Sequence, residues 1–165
     1  MATKEFQDCL IDVYRGEITG EVAFEGMLAI ADNQDQRYVL GTMLQFETEG
    51  KAIIRPLLMR YGLSMLDDPT GRADGAAASV QMNSLPWVDR FATMREIVKT
   101  SYLPRYEELA TLISTDEDPE AARIAKFMGD HERALVELAS NVVAGHSDPA
   151  APVAKLLNFP LPHPA

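Results

Sequence analysis

Four side chains that can bind or transfer protons and metal ions stand where a helix face would otherwise be apolar: Glu17, Glu21, Glu47 and His131. Positions one heptad apart on an α-helix differ in direction by only about 20°. Glu17 lies one heptad from both Leu10 and Phe24, and Glu47 one heptad from both Leu40 and Ile54. His131 holds the same relation to Ile124 and Leu138. Glu21 follows Glu17 by one turn, about 40° to one side of it. A carboxylate buried alone costs several kcal/mol, so such groups pair, hold a proton or bind a cation. Carboxylate oxygens with an imidazole nitrogen suit Fe, Mn or Zn. Glu17, Glu21, Glu47 and His131 are therefore candidates for pairing, for protonation or for binding a metal.

Three further residues are expected at the same level. Lys51 follows Glu47 at i+4, the favourable orientation for a helix ion pair. Tyr102 and Arg105 fall in the middle of the stripe Trp87, Phe91, Met94, Val98, Leu109 and Leu112. Lys51, Tyr102 and Arg105 are the candidate ligand-binding residues. The two cations could also neutralise the carboxylates with no metal at all. Glu49, Glu107 and Glu108 are expected to point away. Asp130 and Glu132 flank His131 by about 100° each, which puts them at the edge of the stripe. Gly20, beside Glu17, leaves room for a neighbouring helix.

The elements that must carry these residues are helices. Apolar residues recur at three and four spacings, and no alternating run of strand length occurs. The first segment covers about 4–31, and the second about 35–61, with Gly62 as a C-terminal glycine and a kink expected at Pro56. Residues 64–84 form a long connection with a short helix expected at 76–82. The third segment covers about 86–113, with a kink expected at Pro104. The fourth starts at Pro119, capped by Asp118, and ends near Gly145. A proline-rich tail follows, with a short helix expected at 151–157. The expected fold is all-α, a four-helix bundle over 1–145 with a long crossover between helices two and three, followed by a tail over 146–165. Such connection lengths are of the ferritin-like type.

The local sequences YRGEITGEVAFEGML, LQFETEGKAIIRPLL and HERALVELA, with LPW opening the third helix, resemble the ferritin-like superfamily of carboxylate-bridged di-iron proteins. The resemblance covers roughly residues 5 to 145. It implies one Glu on each of two helices and a Glu-x-x-His on each of the other two. Glu17 or Glu21, Glu47 and His131 match that pattern. Gly50 stands where a His is expected, Met128 where a Glu is expected, and the third helix has no Glu on its stripe. The resemblance thus implies an altered metal site of oxidase or oxygenase type, holding Fe, Mn or Zn, in a protein that pairs as a homodimer. The alternatives are a metal-free bundle whose polar interior binds a small ligand, and a helical module that binds a protein partner through the crossover or the tail.

Composition limits the remaining choices. The chain has 165 residues, 25 acids against 15 bases and a net charge of −10. That balance argues against nucleic acid or an anionic membrane surface as a partner. A single Cys9 excludes an internal disulfide and a cysteine-rich zinc site. No apolar run is long enough for a membrane span, and no secretory signal pattern opens the chain, so a cytoplasmic location is expected.

Overall fold

The computed structural model describes residues 2–164, and these are all-helical, with no strand among them. Helix α1 covers Lys4–Leu28, α2 Gln34–Arg60, α3 Pro69–Asn83, α4 Trp87–Ile97, α5 Leu103–Thr111 and α6 Pro119–Ala144. A single turn, α7, covers Ala151–Ala154. No helix among the described residues is long and apolar enough to cross a membrane.

The ends of the long helices follow their cap residues. Thr3, Asn33 and Asp118 each accept a backbone N–H from the first turn of α1, α2 and α6. Gly62 and Gly145 close α2 and α6 with φ of 69° and 72°, where a side chain would be strained. α2 runs on through Pro56 to Arg60 without a break in the helix.

The connection after α2 differs from the expectation. Instead of a short helix at 76–82 it carries α3, with 15 residues, capped by Asp68 and with Pro69 in the first turn. Gly71 and Gly75 were expected as loop residues, but they are the points where α3 lies on α1. A Cβ at Gly75 would come within 2.5 Å of the Thr19 carbonyl and 2.8 Å of Val22 Cβ. The glycines let two helix backbones approach, so they belong to a helix rather than a turn.

The third segment is divided. Residues Val98–Tyr102 form a π turn between α4 and α5, in which the Leu103 N–H bonds to the Val98 carbonyl. Pro104 has no N–H, and its ring crowds the preceding turn. The turn widens by one residue, and every later residue is rotated relative to a regular α-helix. The stripe therefore runs from Val98 to Tyr106 and Ile113 instead of to Arg105 and Leu112.

The core has two apolar halves. One holds Phe6, Leu10, Val13, Ile54, Leu58, Leu109, Ile124 and Met128. The other holds Phe24, Met27, Leu40, Met43, Phe46, Phe91, Leu135 and Leu138. α1 runs from the first half to the second and α2 returns. The α4–α5 segment also runs from the second to the first, and α6 returns. α3 carries the chain back between α2 and α4. Every long segment thus crosses the level between the halves near its own middle.

The tail packs against this core. Ala150 and Val153 are fully buried in the second half. Glu49, expected to point away, is buried beneath the tail. It accepts N–H bonds from Asn158 (2.7 Å from the backbone, 2.9 Å from the side chain) and Phe159 (2.8 Å). Burial alone would raise its pKa, but these donors outweigh it and hold the carboxylate below its ordinary range.

Candidate metal centre

Glu17, Glu47, His131 and Glu132 meet at the level between the two apolar halves, and all are buried. α1 brings Glu17, α2 brings Glu47, and α6 brings His131 and Glu132. Tyr106 enters from α5 and donates its hydroxyl to Glu17 Oε1 at 2.7 Å. Glycines make room for these groups. A Cβ at Gly50 would overlap Glu17 Oε2, one at Gly16 would overlap the Tyr106 hydroxyl, and one at Gly20 would lie 2.6 Å from Glu47 Oε2. Gly50 carries no side chain at the position where an imidazole is expected. The space it leaves is taken by the carboxylate of Glu17.

The His131 ring stacks on Phe46, with centroids 3.7 Å apart and planes 10° from parallel. Its Nε2 lies 3.2 Å from the Phe46 carbonyl oxygen and 3.4 Å from Glu17 Oε2. A carbonyl can only accept, so the contact with Phe46 requires Nε2 to carry the proton. Nδ1 lies 3.9 Å from Glu132 Oε2, too far for a hydrogen bond, and is left without a partner. Glu17 Oε2 and Glu47 Oε1 are also buried without a hydrogen-bond partner.

Electrostatics at this level are dominated by carboxylates. Burial pushes the Glu17 pKa up to about 7, against the opposing charge of His131. Burial raises Glu47 well above its ordinary value, and the charges of Glu17 and Glu132 add to the rise. For His131, burial pulls downward, but Glu17 and Glu132 outweigh it and the net shift is upward. Burial also holds the Tyr106 hydroxyl well above its usual range, with Glu17 adding to it. Among the described residues, no Lys or Arg forms an ion pair or hydrogen bond with Glu17, Glu47 or Glu132.

Lys51, Glu21 and Arg105 stand away from this level, and Tyr102 lies at its edge. Lys51 does not pair with Glu47. Its buried stem ends at Glu21 Oε2 (2.7 Å) and Asp67 Oδ1 (2.8 Å), tying α1, α2 and the start of the crossover together at the rim. Four methylenes let the ammonium reach that rim instead of staying at the level of its own backbone. Glu21 is engaged at this rim, where it also accepts the Thr48 hydroxyl at 2.7 Å. Arg105 is turned out of the stripe by the π turn and binds Asp12 (2.7 Å) and Glu108 (2.6 Å) near the surface. Tyr102 is half-buried at the edge of a cavity beside Glu47 and Glu132.

Two residues of the site were not expected. Tyr106 takes the place assigned to Arg105, and the signal for it was Pro104, which displaces the register by one residue. Glu132 was placed at the edge of the stripe by its helical angle. Its side chain is long enough to reach inward from there.

The donor set fits a cation. One donor atom from each of Glu17, His131 and Glu132 lies within 4.8 Å of the others. Ligands on one ion at bond lengths of about 2.0–2.2 Å lie about 3.3–3.6 Å apart in tetrahedral geometry, so the three groups would draw together around an ion. Of these three residues, Glu17 and His131 each have one buried atom without a hydrogen-bond partner. No protein-family model, curated protein or solved structure matches the chain.

Proposed function

We propose that this chain is a ferritin-like metalloprotein with an altered, mononuclear site, in which Glu17, His131 and Glu132 hold one divalent transition-metal ion, with Glu47 beside them. The observation that carries this reading is the absence of any lysine or arginine contact to three buried carboxylates among the described residues. Their charge is met by protons or by a metal ion. The alternating helix directions and the mid-helix level of the donors support the ferritin-like assignment. The missing Glu-x-x-His pairs favour one ion over two. Two carboxylates and an imidazole suit Fe(II), Mn(II) or Zn(II). Such an ion supplies Lewis-acid activation of a small substrate or, for iron and manganese, redox chemistry with oxygen. Glu17 is held for this role by Tyr106, and His131 by stacking on Phe46.

The test is metal content. Protein purified without chelator, or loaded with Fe(II), Mn(II) or Zn(II), should carry about one ion per chain, with proton release on loading. Glu132→Gln and His131→Ala should lose that ion. Less than about a tenth of an ion per chain after loading would overturn the reading. It would leave a metal-free site whose carboxylates share protons.

A further inference from the structure

A cavity of about 90 Å³ opens beside the carboxylates and is walled by α1, α3, α4 and α6. Its walls are apolar, with Met27, Met82 and Met94 contributed by three different helices. Ile97, 36% exposed, stands at its mouth, and Ala78 of α3 lines one side. Glu47, Glu132 and Tyr102 line it with Thr19 and Tyr106, whose hydroxyls are already bonded to Arg15, Gly71 and Glu17. Glu47 is buried, and its Oε1 has no hydrogen-bond partner.

We propose that this cavity binds a small uncharged molecule with an apolar body and one hydrogen-bonding end, the body among the methionines and the end at Glu47 and Tyr102. An anion would meet Glu47 and Glu132, and among the described residues no Lys or Arg lines the cavity. An ammonium would leave its hydration for walls that cannot replace it. The cavity is smaller than the ~150 Å³ space that admits benzene, so the ligand has about four or five non-hydrogen atoms. Methionine side chains are flexible and polarisable, and they close around bodies of differing shape. As the place where a substrate would meet the ion, the cavity rests on the metal reading above. The binding step itself can be measured without the ion.

The experiment uses the full chain with methyl-13C methionine, as purified and again with Zn(II) added. It is titrated with 1-butanol, butyrate and butylammonium. The chain has eight methionines, so the exposed Met59 and Met65 serve as internal controls. With 1-butanol the methyl signals of Met27, Met82 and Met94 should move together and saturate, while those of Met59 and Met65 stay. Butyrate and butylammonium should bind at least about tenfold more weakly, a difference of about 1.4 kcal/mol. Ala78→Leu should fill the space and abolish the saturable shift. Ile97→Trp, at the exposed mouth, should weaken it and serves as a second variant should Ala78→Leu fail to fold. No saturable shift confined to the three methionines, or equal binding of either ion, overturns the proposal. Shifts in a chain that takes up no metal would keep the cavity and remove the metal reading. Metal uptake without shifts would do the reverse.

Discussion

The carboxylate of Glu17 occupies the space that a side chain at Gly50 would need, so α2 accepts a charged group from α1 at the point where it carries no side chain of its own. The same device seats Glu47 against Gly20 and Tyr106 against Gly16. Small residues on two facing helices thus define how far the polar layer extends into the core.

Gly50→Ala should therefore destabilise the protein, although alanine is the better helix former by about 1 kcal/mol. The added methyl overlaps Glu17 Oε2, and overpacking of this kind costs about 1–3 kcal/mol. Gly129→Ala, whose Cβ would meet only the Arg133 side chain at 3.4 Å, should be neutral or stabilising. Urea denaturation of the two variants checks the contrast. Equal midpoints would mean that Glu17 is not seated on Gly50.

Tyr106→Phe removes the donor to Glu17 Oε1 and leaves a buried acceptor unpartnered, at a cost of about 1–3 kcal/mol. Arg105→Ala breaks only partly exposed pairs and should cost less than about 1 kcal/mol. A regular helix through residue 104 would reverse that order. Thermal melts of the two variants thus test the π turn as well as the hydrogen bond.

The metal-free protein should lose stability as pH rises. Glu17 has a folded pKa of about 7 against an ordinary 4.5. The folded state thus binds its proton more tightly than the unfolded state. The stability this gives is full below about pH 4.5 and is lost as pH rises through 7. The upward shifts of Glu47 and His131 act in the same direction. Glu17→Gln should flatten the slope between about pH 5 and 8, by an amount on the order of 3 kcal/mol. Bound metal should reverse the trend, because it requires ionised ligands. A wild-type to Glu17→Gln stability difference that stays constant across that window would show an ordinary carboxylate.

Glu49→Ala should release the tail. Three N–H donors from Asn158 and Phe159 would lose their acceptor, and hydrogen bonds to a charged group are worth more than neutral ones. Amide exchange at Asn158, Phe159, Leu161 and His163 should rise, while exchange at Val153, whose N–H bonds to the Ala150 carbonyl, stays slow because its burial does not depend on Glu49. Unchanged exchange at Asn158 and Phe159 would mean that the prolines alone hold the segment.

Much of this arrangement is legible in the sequence because helical periodicity is local. The spacing of Leu10, Glu17 and Phe24 puts a carboxylate on a buried stripe without knowledge of any partner helix, and Glu17 is indeed fully buried. The same holds for Glu47 and His131, and for the caps Asp118, Gly62 and Gly145. Asp68 and Pro69 carried the signature of a helix start too, but Gly71 and Gly75 concealed α3. Whether a glycine marks a turn or a close approach depends on what packs against it.

The tertiary structure decided what periodicity cannot reach. Periodicity gives the direction of a Cβ; the ends of long side chains are placed by their partners. Lys51 left Glu47 for Glu21 and Asp67, since both lie within reach of its ammonium at the rim. Glu132 turned inward from the edge of its stripe, and Glu49 was covered by a tail more than a hundred residues further along the chain. One widened turn before Pro104 exchanged Arg105 for Tyr106, and with it a cation for a hydroxyl. The sequence alone determined that carboxylates and an imidazole enter the core. Only the packing of α1, α2, α5 and α6 determined that, among the described residues, no Lys or Arg pairs with Glu17, Glu47 or Glu132, because charge pairing depends on side-chain ends meeting in space.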